Sequence, residues 1–124
     1  MVIGAALHGL PVIAQRSPFN GLEVLPADST GHYRILIGGH FHGESTNRSG
    51  YPASTLLANL DTINALGAHL FLSTGDLYMD AEKDSARYAR ALFNKLKVPF
   101  FNAPGNHDRT ASYSMPSDAV IMDL

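Results

Sequence analysis

Three short apolar runs alternate with two longer segments of helical periodicity, and this alternation limits the fold more than any other feature. The runs cover residues 33–37, 70–72 and 98–102. The two segments between them carry apolar residues at helical spacing: Leu56, Leu57, Leu60, Ile63 and Leu66 in the first, and Ala89, Leu92, Phe93 and Leu96 in the second. Short apolar strands that alternate with amphipathic helices are typical of parallel sheets with right-handed crossovers. The sequence therefore predicts an α/β fold in the order β-α-β-α-β.

Proline, glycine and acidic residues set the expected limits of the two helices. Pro52 suits the first turn of the first helix, since its missing N–H costs nothing there, and Gly67 suits the C-cap. We expect the second helix to begin near Asp84, with Asp80 and Glu82 also in its first turn or cap. Further extended pieces are predicted at residues 22–25 and, as a candidate fourth strand, at residues 119–122.

Composition excludes several classes of function. The chain has 124 residues, 45% of them apolar, which suits one small globular domain. A net charge of -2 gives no electrostatic reason to expect a nucleic-acid-binding surface, and the lack of cysteine excludes thiolate zinc sites and disulfides. The first 14 residues are mostly apolar but too short to span a bilayer, so they read as a packed strand or the remnant of a leader. The compartment stays unknown, with export left open.

A short polar motif follows each apolar run. The motifs are Gly39-His40-Phe41-His42, Gly75-Asp76-Leu77-Tyr78-Met79-Asp80 and Gly105-Asn106-His107-Asp108. The loops that follow parallel strands lie along one edge of the sheet, where ligands bind. Histidine, aspartate and asparagine supply nitrogen and oxygen ligands without sulfur, which favours Mn, Fe or Zn over a purely oxygen-bound ion. We therefore expect the three motifs to meet at one metal site.

Each motif has a plainer interpretation when it is taken alone. His40 and His42 are two residues apart, so on an extended segment both rings point to the same side and can reach one metal, but they could also be surface histidines. Asp76 can bridge two cations or serve as a helix cap or turn residue. Asn106 can be a neutral ligand, or it can form a turn with the preceding glycine. Their recurrence after three successive strands favours the metal site.

At these motifs, over about residues 33–109, the chain resembles the calcineurin-like metallophosphoesterase superfamily. The family pattern begins Asp-x-His, Gly-Asp-x-x-Asp and Gly-Asn-His-Asp/Glu, and three matching motifs occur here in that order. The resemblance implies that His40 and His42 bind one metal, that Asp76 bridges two metals and that Asn106 binds the second. It thus implies two divalent ions (Mn, Fe or Zn) and half of a two-sheet β-sandwich flanked by helices.

The resemblance also implies a reaction, the hydrolysis of a phosphate ester. His107 would protonate the leaving group and Asp108 would support it, as catalytic residues. The expected organisation is an irregular, partly apolar segment over residues 1–32, followed by a partial metallophosphoesterase domain over residues 33–124.

The chain departs from the family pattern in three respects. His40 stands where the family has aspartate, and the second motif is one residue longer than usual before Asp80. No histidine follows His107, so the family's lone histidine and its final Gly-His-x-His motif have no counterpart downstream. The first motif literally fits that final pattern, which leaves a permuted arrangement as an alternative. We expect the chain to be a truncated form whose remaining ligands come from a missing C-terminal half or a partner chain.

Three functional hypotheses follow. The leading one is a metal-dependent phosphoesterase acting on mono- or diesters through a binuclear centre. The second is a catalytically inactive metal-binding or interaction domain derived from the same fold. The third is a flavodoxin-like α/β domain whose polar loops are coincidental, which predicts no tight metal binding.

Overall fold

The computed structural model describes residues 15–43 and 51–108. Within them lies one sheet of three parallel strands, β1 (Ile35–Gly38), β2 (Leu70–Ser73) and β3 (Phe100–Asn102), in the order β1-β2-β3. Helical segments connect the strands, so the predicted α/β fold in the order β-α-β-α-β is confirmed. The expected extra strands at the N-terminus and at residues 119–122 lie outside the described residues, as does the polar loop 44–50.

The first connection is helical but is not one continuous helix. It consists of α1 (Ser54–Ala58) and α2 (Leu60–Ala65), separated at Asn59. The Asn59 side-chain amide donates a hydrogen bond to the Thr55 carbonyl oxygen at 2.7 Å. Asparagine side chains that bond to nearby backbone in this way compete with helix propagation, which explains the break.

The ends of this connection differ in how well the sequence predicted them. Gly67 follows the end of α2 with a φ of +59°, as expected of a C-terminal glycine. The prediction that Pro52 lies in the first helical turn is wrong. Pro52 instead forms an antiparallel bridge with His42, two residues before the helix begins. Pro52 therefore lies in an extended segment that runs antiparallel to the loop after β1.

The second connection is α3 (Ala81–Ala91), followed by a 3₁₀ turn at Phe93–Lys95. The Asp80 side chain caps the helix by accepting a hydrogen bond from the Lys83 backbone N–H, so α3 begins earlier than expected. Asp84 reciprocates by accepting the Asp80 backbone N–H at 3.0 Å. Hydrogen bonds from the side chain and then the backbone N–H of Lys83 hold the pKa of Asp80 below its ordinary value.

The core lies on one face of the sheet. The strand register aligns Leu36, Phe71 and Phe100 on this face. The core cluster that contains the two phenylalanines also includes residues of both connections: Leu56, Leu60, Tyr88 and Leu92. The neighbouring positions of β1 point to the other face, where Ile35 and Ile37 are 46% and 68% exposed. Both helical connections therefore cover the same face, as expected of two crossovers of the same hand.

The segment before β1 packs against the strand at the far side of the sheet. The Ser17 hydroxyl donates a hydrogen bond to the Phe100 carbonyl oxygen at 2.6 Å, and the Phe19 ring lies 5.3 Å from the Phe100 ring. Residues 22–25 do not form a strand, and their regular pairing is one antiparallel bridge at Glu23. No helix in the described parts of the chain has the length and apolar character needed to cross a membrane.

Candidate metal centre

The loop after β1 is held against the loop after β2 by backbone contacts. Gly39 approaches Thr74 so closely that a Cβ at residue 39 would lie 2.3 Å from the threonine hydroxyl oxygen. The next residue, His40, donates its backbone N–H to the Gly75 carbonyl at 3.0 Å, and His42 donates to the Asp76 carbonyl at 3.2 Å. These bonds fix the backbone of the His-x-His segment beside the aspartate that follows β2.

The same segment is supported from its other side by the chain that returns toward α1. The Gly43 N–H donates to the Tyr51 carbonyl at 3.0 Å, and the Ala53 N–H donates to the Phe41 carbonyl at 2.8 Å. Together with the bridge between His42 and Pro52, these bonds form a short antiparallel ladder. Both histidines are therefore carried on a segment whose two edges are hydrogen-bonded.

Three candidate ligands converge at the carboxyl edge of the sheet. One ligand atom from each of His40, His42 and Asp76 lies within 4.8 Å of the others. His40 Nδ1 is 3.3 Å from His42 Nε2, and His40 Nε2 is 3.6 Å from a carboxylate oxygen of Asp76. Two nitrogens bound to one tetrahedral ion at about 2.0–2.1 Å lie at similar separations. A single ion can bind only one of these two His40 nitrogens, so the convergence of one ligand atom per residue within 4.8 Å is what would allow two imidazoles and one carboxylate to share a divalent ion.

The backbone at two of these candidate ligands is in an uncommon conformation. His40 and Asp76 have φ values of 54° and 51°, and they are the non-glycine residues with positive φ in the described ranges. The left-handed conformation is costly for a residue other than glycine and persists only where the surrounding structure holds it. Such residues are found most often at functional sites. Here the hydrogen bonds between the two loops impose it.

The turn after β3 reaches the same carboxylate. Gly105 lies against Asp76, since a Cβ on this glycine would be 2.1 Å from the carboxylate oxygen Oδ1. The His107 backbone N–H donates to that oxygen at 3.2 Å, and the half-buried His107 ring lies 5.2 Å from the His42 ring. Asn106, between them in sequence, is exposed. The third motif therefore meets the first two at one edge of the sheet.

Asp108 is fully buried and ties two of these loops together. One carboxylate oxygen accepts the backbone N–H groups of Leu77 and Tyr78 at 2.8 and 2.9 Å. The other accepts the Gly105 N–H at 2.8 Å and the Asn102 side-chain amide at 3.1 Å. These hydrogen bonds run to backbone and strand-end groups rather than to the neighbouring imidazole.

Two elements of this arrangement have no clear signal in the sequence. Asn102 ends β3 and reads as an ordinary strand residue, yet it donates to Asp108 and leaves its own Oδ1 buried without a hydrogen-bond partner. Tyr88 reads as a core residue of α3, yet its hydroxyl contacts the carbonyls of Phe41 and Tyr51. The one available indication for Tyr88 is general: a buried tyrosine hydroxyl usually has a hydrogen-bond partner.

Comparison with known protein families identifies the fold. The family model described as calcineurin-like phosphoesterase matches residues 49–121, which is more than half of the chain. The chain therefore belongs to the calcineurin-like phosphoesterase family. The match includes Asp76, Asn106, His107 and Asp108 and begins after the His-x-His segment, so the place of that segment in the site depends on the geometry above. No curated protein and no solved structure matches the chain with significance.

Proposed function

We propose that the protein is a metal-dependent phosphoesterase, in a partial form of the domain, that hydrolyses phosphate mono- or diesters at a binuclear metal centre. The observation that carries the proposal is the convergence of His40, His42 and Asp76 beside the turn that holds His107. Membership of a phosphoesterase family supports the same reaction class. The net charge of -2 makes bound cations the natural means of attracting an anionic ester.

The proposed ligands divide unequally between two ions. His40, His42 and Asp76 hold the first, and Asp76 and Asn106 hold the second. Divalent cations at such a site supply a nucleophile at neutral pH and stabilise negative charge on the phosphoryl oxygens. The nitrogen and oxygen donors favour Mn, Fe or Zn. With two ligands from this chain, the second ion binds more weakly than the first, and its remaining ligands come from water or from another polypeptide segment.

His107 is proposed as the general acid that protonates the leaving-group oxygen. Its backbone N–H is anchored on Asp76 Oδ1, and its ring lies beside that of His42 at the edge of the cluster. An imidazole at this position can reach a phosphate ester bound at the ions. Asp108 supports the acid through the backbone, since it holds the Gly105 end of the turn and the chain that follows Asp76.

A second candidate is a domain that binds metal without catalysing hydrolysis. Two features favour it: Asn106 is exposed, and this chain offers only two ligands to the second ion. If that ion were not held, the leaving group would lack its stabilisation. It differs from the enzyme in one testable respect. It predicts stable metal binding with no turnover.

The test is manganese-dependent hydrolysis of a chromogenic phosphodiester by the wild type, His107→Ala and His32→Ala. His32 is an exposed histidine that precedes β1, at the opposite edge of the sheet, and serves as the matched control. We expect turnover by the wild type and His32→Ala, and a loss of about 100-fold or more in His107→Ala with its tightly bound metal retained. Metal binding without wild-type turnover would favour the inactive domain, and full activity in His107→Ala would exclude it as the acid.

A further inference from the structure

Tyr88 is a buried phenol that belongs to no motif. It lies on α3 with no exposed surface, and its hydroxyl oxygen is 3.1 Å from the Tyr51 carbonyl oxygen and 3.4 Å from the Phe41 carbonyl oxygen. Burial raises the pKa of Tyr88 well above its ordinary value, and the backbone N–H of Gly43 offsets only part of that rise. The hydroxyl group lies between two backbone acceptors and donates its one proton to one of them at a time, the Tyr51 carbonyl being the nearer.

The two carbonyls belong to the chain that carries the histidine ligands. Phe41 stands between His40 and His42, so its carbonyl is part of the peptide that leads into the second ligand. The Phe41 ring is anchored separately, 5.6 Å from the Phe71 ring in the core. The phenol of Tyr88 thus contacts the segment at its backbone while the core holds its side chain.

Tyr88 also contacts the second ligand loop. Its ring lies edge-on to the Tyr78 ring, with centroids 4.8 Å apart. Tyr78 follows Asp76 by two residues, and its backbone N–H is held by Asp108. One side chain of α3 therefore contacts both the loop that carries the histidines and the loop that carries the aspartate.

We propose that Tyr88 is a positioning residue of the metal centre. Through the Tyr51 and Phe41 carbonyls and the Tyr78 ring it fixes the spacing between the His-x-His segment and Asp76. Tyr51 belongs to this support because its carbonyl also accepts the Gly43 N–H, directly after His42. Tyr88 touches neither metal nor substrate and acts through these contacts alone. The inference rests on the proposed metal-binding function, since it assigns a support to that site. Groups that orient metal ligands in this indirect way typically affect metal affinity by about 10- to 100-fold.

Cobalt(II) titration of the untagged protein tests the proposal, with Tyr88→Phe compared with Tyr33→Phe. Both substitutions remove one phenolic hydroxyl, but Tyr33 is 56% exposed before β1, at the opposite edge of the sheet. We expect Tyr88→Phe to bind Co²⁺ about 10-fold more weakly, with an altered visible absorption spectrum, because the ligands lose their fixed spacing. Tyr33→Phe should match the wild type in both measurements.

The urea midpoint of the metal-free variants separates positioning from a general loss of stability. Suppose that Tyr88→Phe has a lower urea midpoint but unchanged Co²⁺ affinity and spectrum under conditions where it is folded. That result would overturn the positioning role of Tyr88 and leave the proposed function standing. Failure of the wild type to bind Co²⁺ would overturn both the inference and the proposed function. If Tyr88→Phe does not fold, Tyr78→Leu tests the same route, because it removes the ring that Tyr88 contacts on the loop after Asp76. It should weaken Co²⁺ binding and alter the spectrum, and wild-type values would refute the proposal.

Discussion

Replacement of Asp108 by asparagine tests whether one buried carboxylate holds two site loops together. The carboxylate receives four hydrogen bonds, two from Leu77 and Tyr78 on one oxygen and two from Gly105 and Asn102 on the other. An asparagine at this position keeps the size and shape of the side chain but has only one acceptor oxygen. If that oxygen serves Leu77 and Tyr78, the new amide group faces two further donors.

The cost follows from the two hydrogen bonds that are lost. Hydrogen bonds to charged groups contribute about 1.5–3 kcal/mol each, so two of them amount to about 3–6 kcal/mol. Asn102 can turn its amide over so that its unpartnered Oδ1 faces the new donor, which recovers part of this. A neutral amide is also cheaper to bury than a carboxylate. We therefore expect a loss near the lower limit, about 3 kcal/mol in the free energy of unfolding.

Urea unfolding followed by far-ultraviolet circular dichroism measures this loss, since the chain has no tryptophan to report by fluorescence. Asp61→Asn is the matched control. It removes the same charge from an exposed position in the first turn of α2 and should cost less than about 1 kcal/mol. If the two variants differ by less than about 0.5 kcal/mol, the carboxylate does not hold the loops as described.

Three further predictions concern packing and charge. Gly105→Ala places a Cβ 2.1 Å from Asp76 Oδ1, so calorimetric titration should show weaker metal binding, and wild-type affinity would contradict the close contact. The pKa of Asp80 is lower in the folded state than its ordinary value of 3.8. The ionised side chain therefore stabilises the folded protein above pH 3.8, and this contribution is lost as the pH falls through the lowered pKa. Thermal unfolding of Asp80→Asn should therefore depend less on pH across that range than the wild type, and equal dependence would refute this. Phe100→Ala should cost about 3–5 kcal/mol in urea unfolding and Ile37→Ala less than about 1, and equal losses would contradict a one-sided core.

Residue pattern was enough to predict the strands and their order, because short apolar runs separated by helical periodicity leave few alternatives. The break at Asn59 and the use of Pro52 outside the helix were not predictable in the same way. Both depend on competition between local hydrogen bonds: Asn59 with the Thr55 carbonyl, and the residue after Pro52 with the Phe41 carbonyl. The outcome of such competition depends on tertiary contacts, which the helix propensity of a residue does not take into account.

The candidate site, like the fold, could be predicted only in part from the sequence. Parallel topology alone predicted that the three motifs would meet at one edge, because loops after parallel strands share it. The supports were not predictable, since Asp108 and Tyr88 act through backbone groups that are distant in sequence. In the sequence, an aspartate directly after the predicted catalytic histidine is expected to be a partner of that imidazole, whereas the described hydrogen bonds of Asp108 go to two loops and a strand end.

Calorimetric titration of the untagged, metal-free protein with Mn²⁺ or Zn²⁺ tests whether the three loops form a metal centre. We expect one tightly bound ion per chain and a second, weaker one. His42→Ala should abolish the tight event, Asn106→Ala should affect only the weak one, and His32→Ala should change neither. Unchanged tight binding in His42→Ala, or no saturable binding by the wild type, would contradict a metal centre built on these loops.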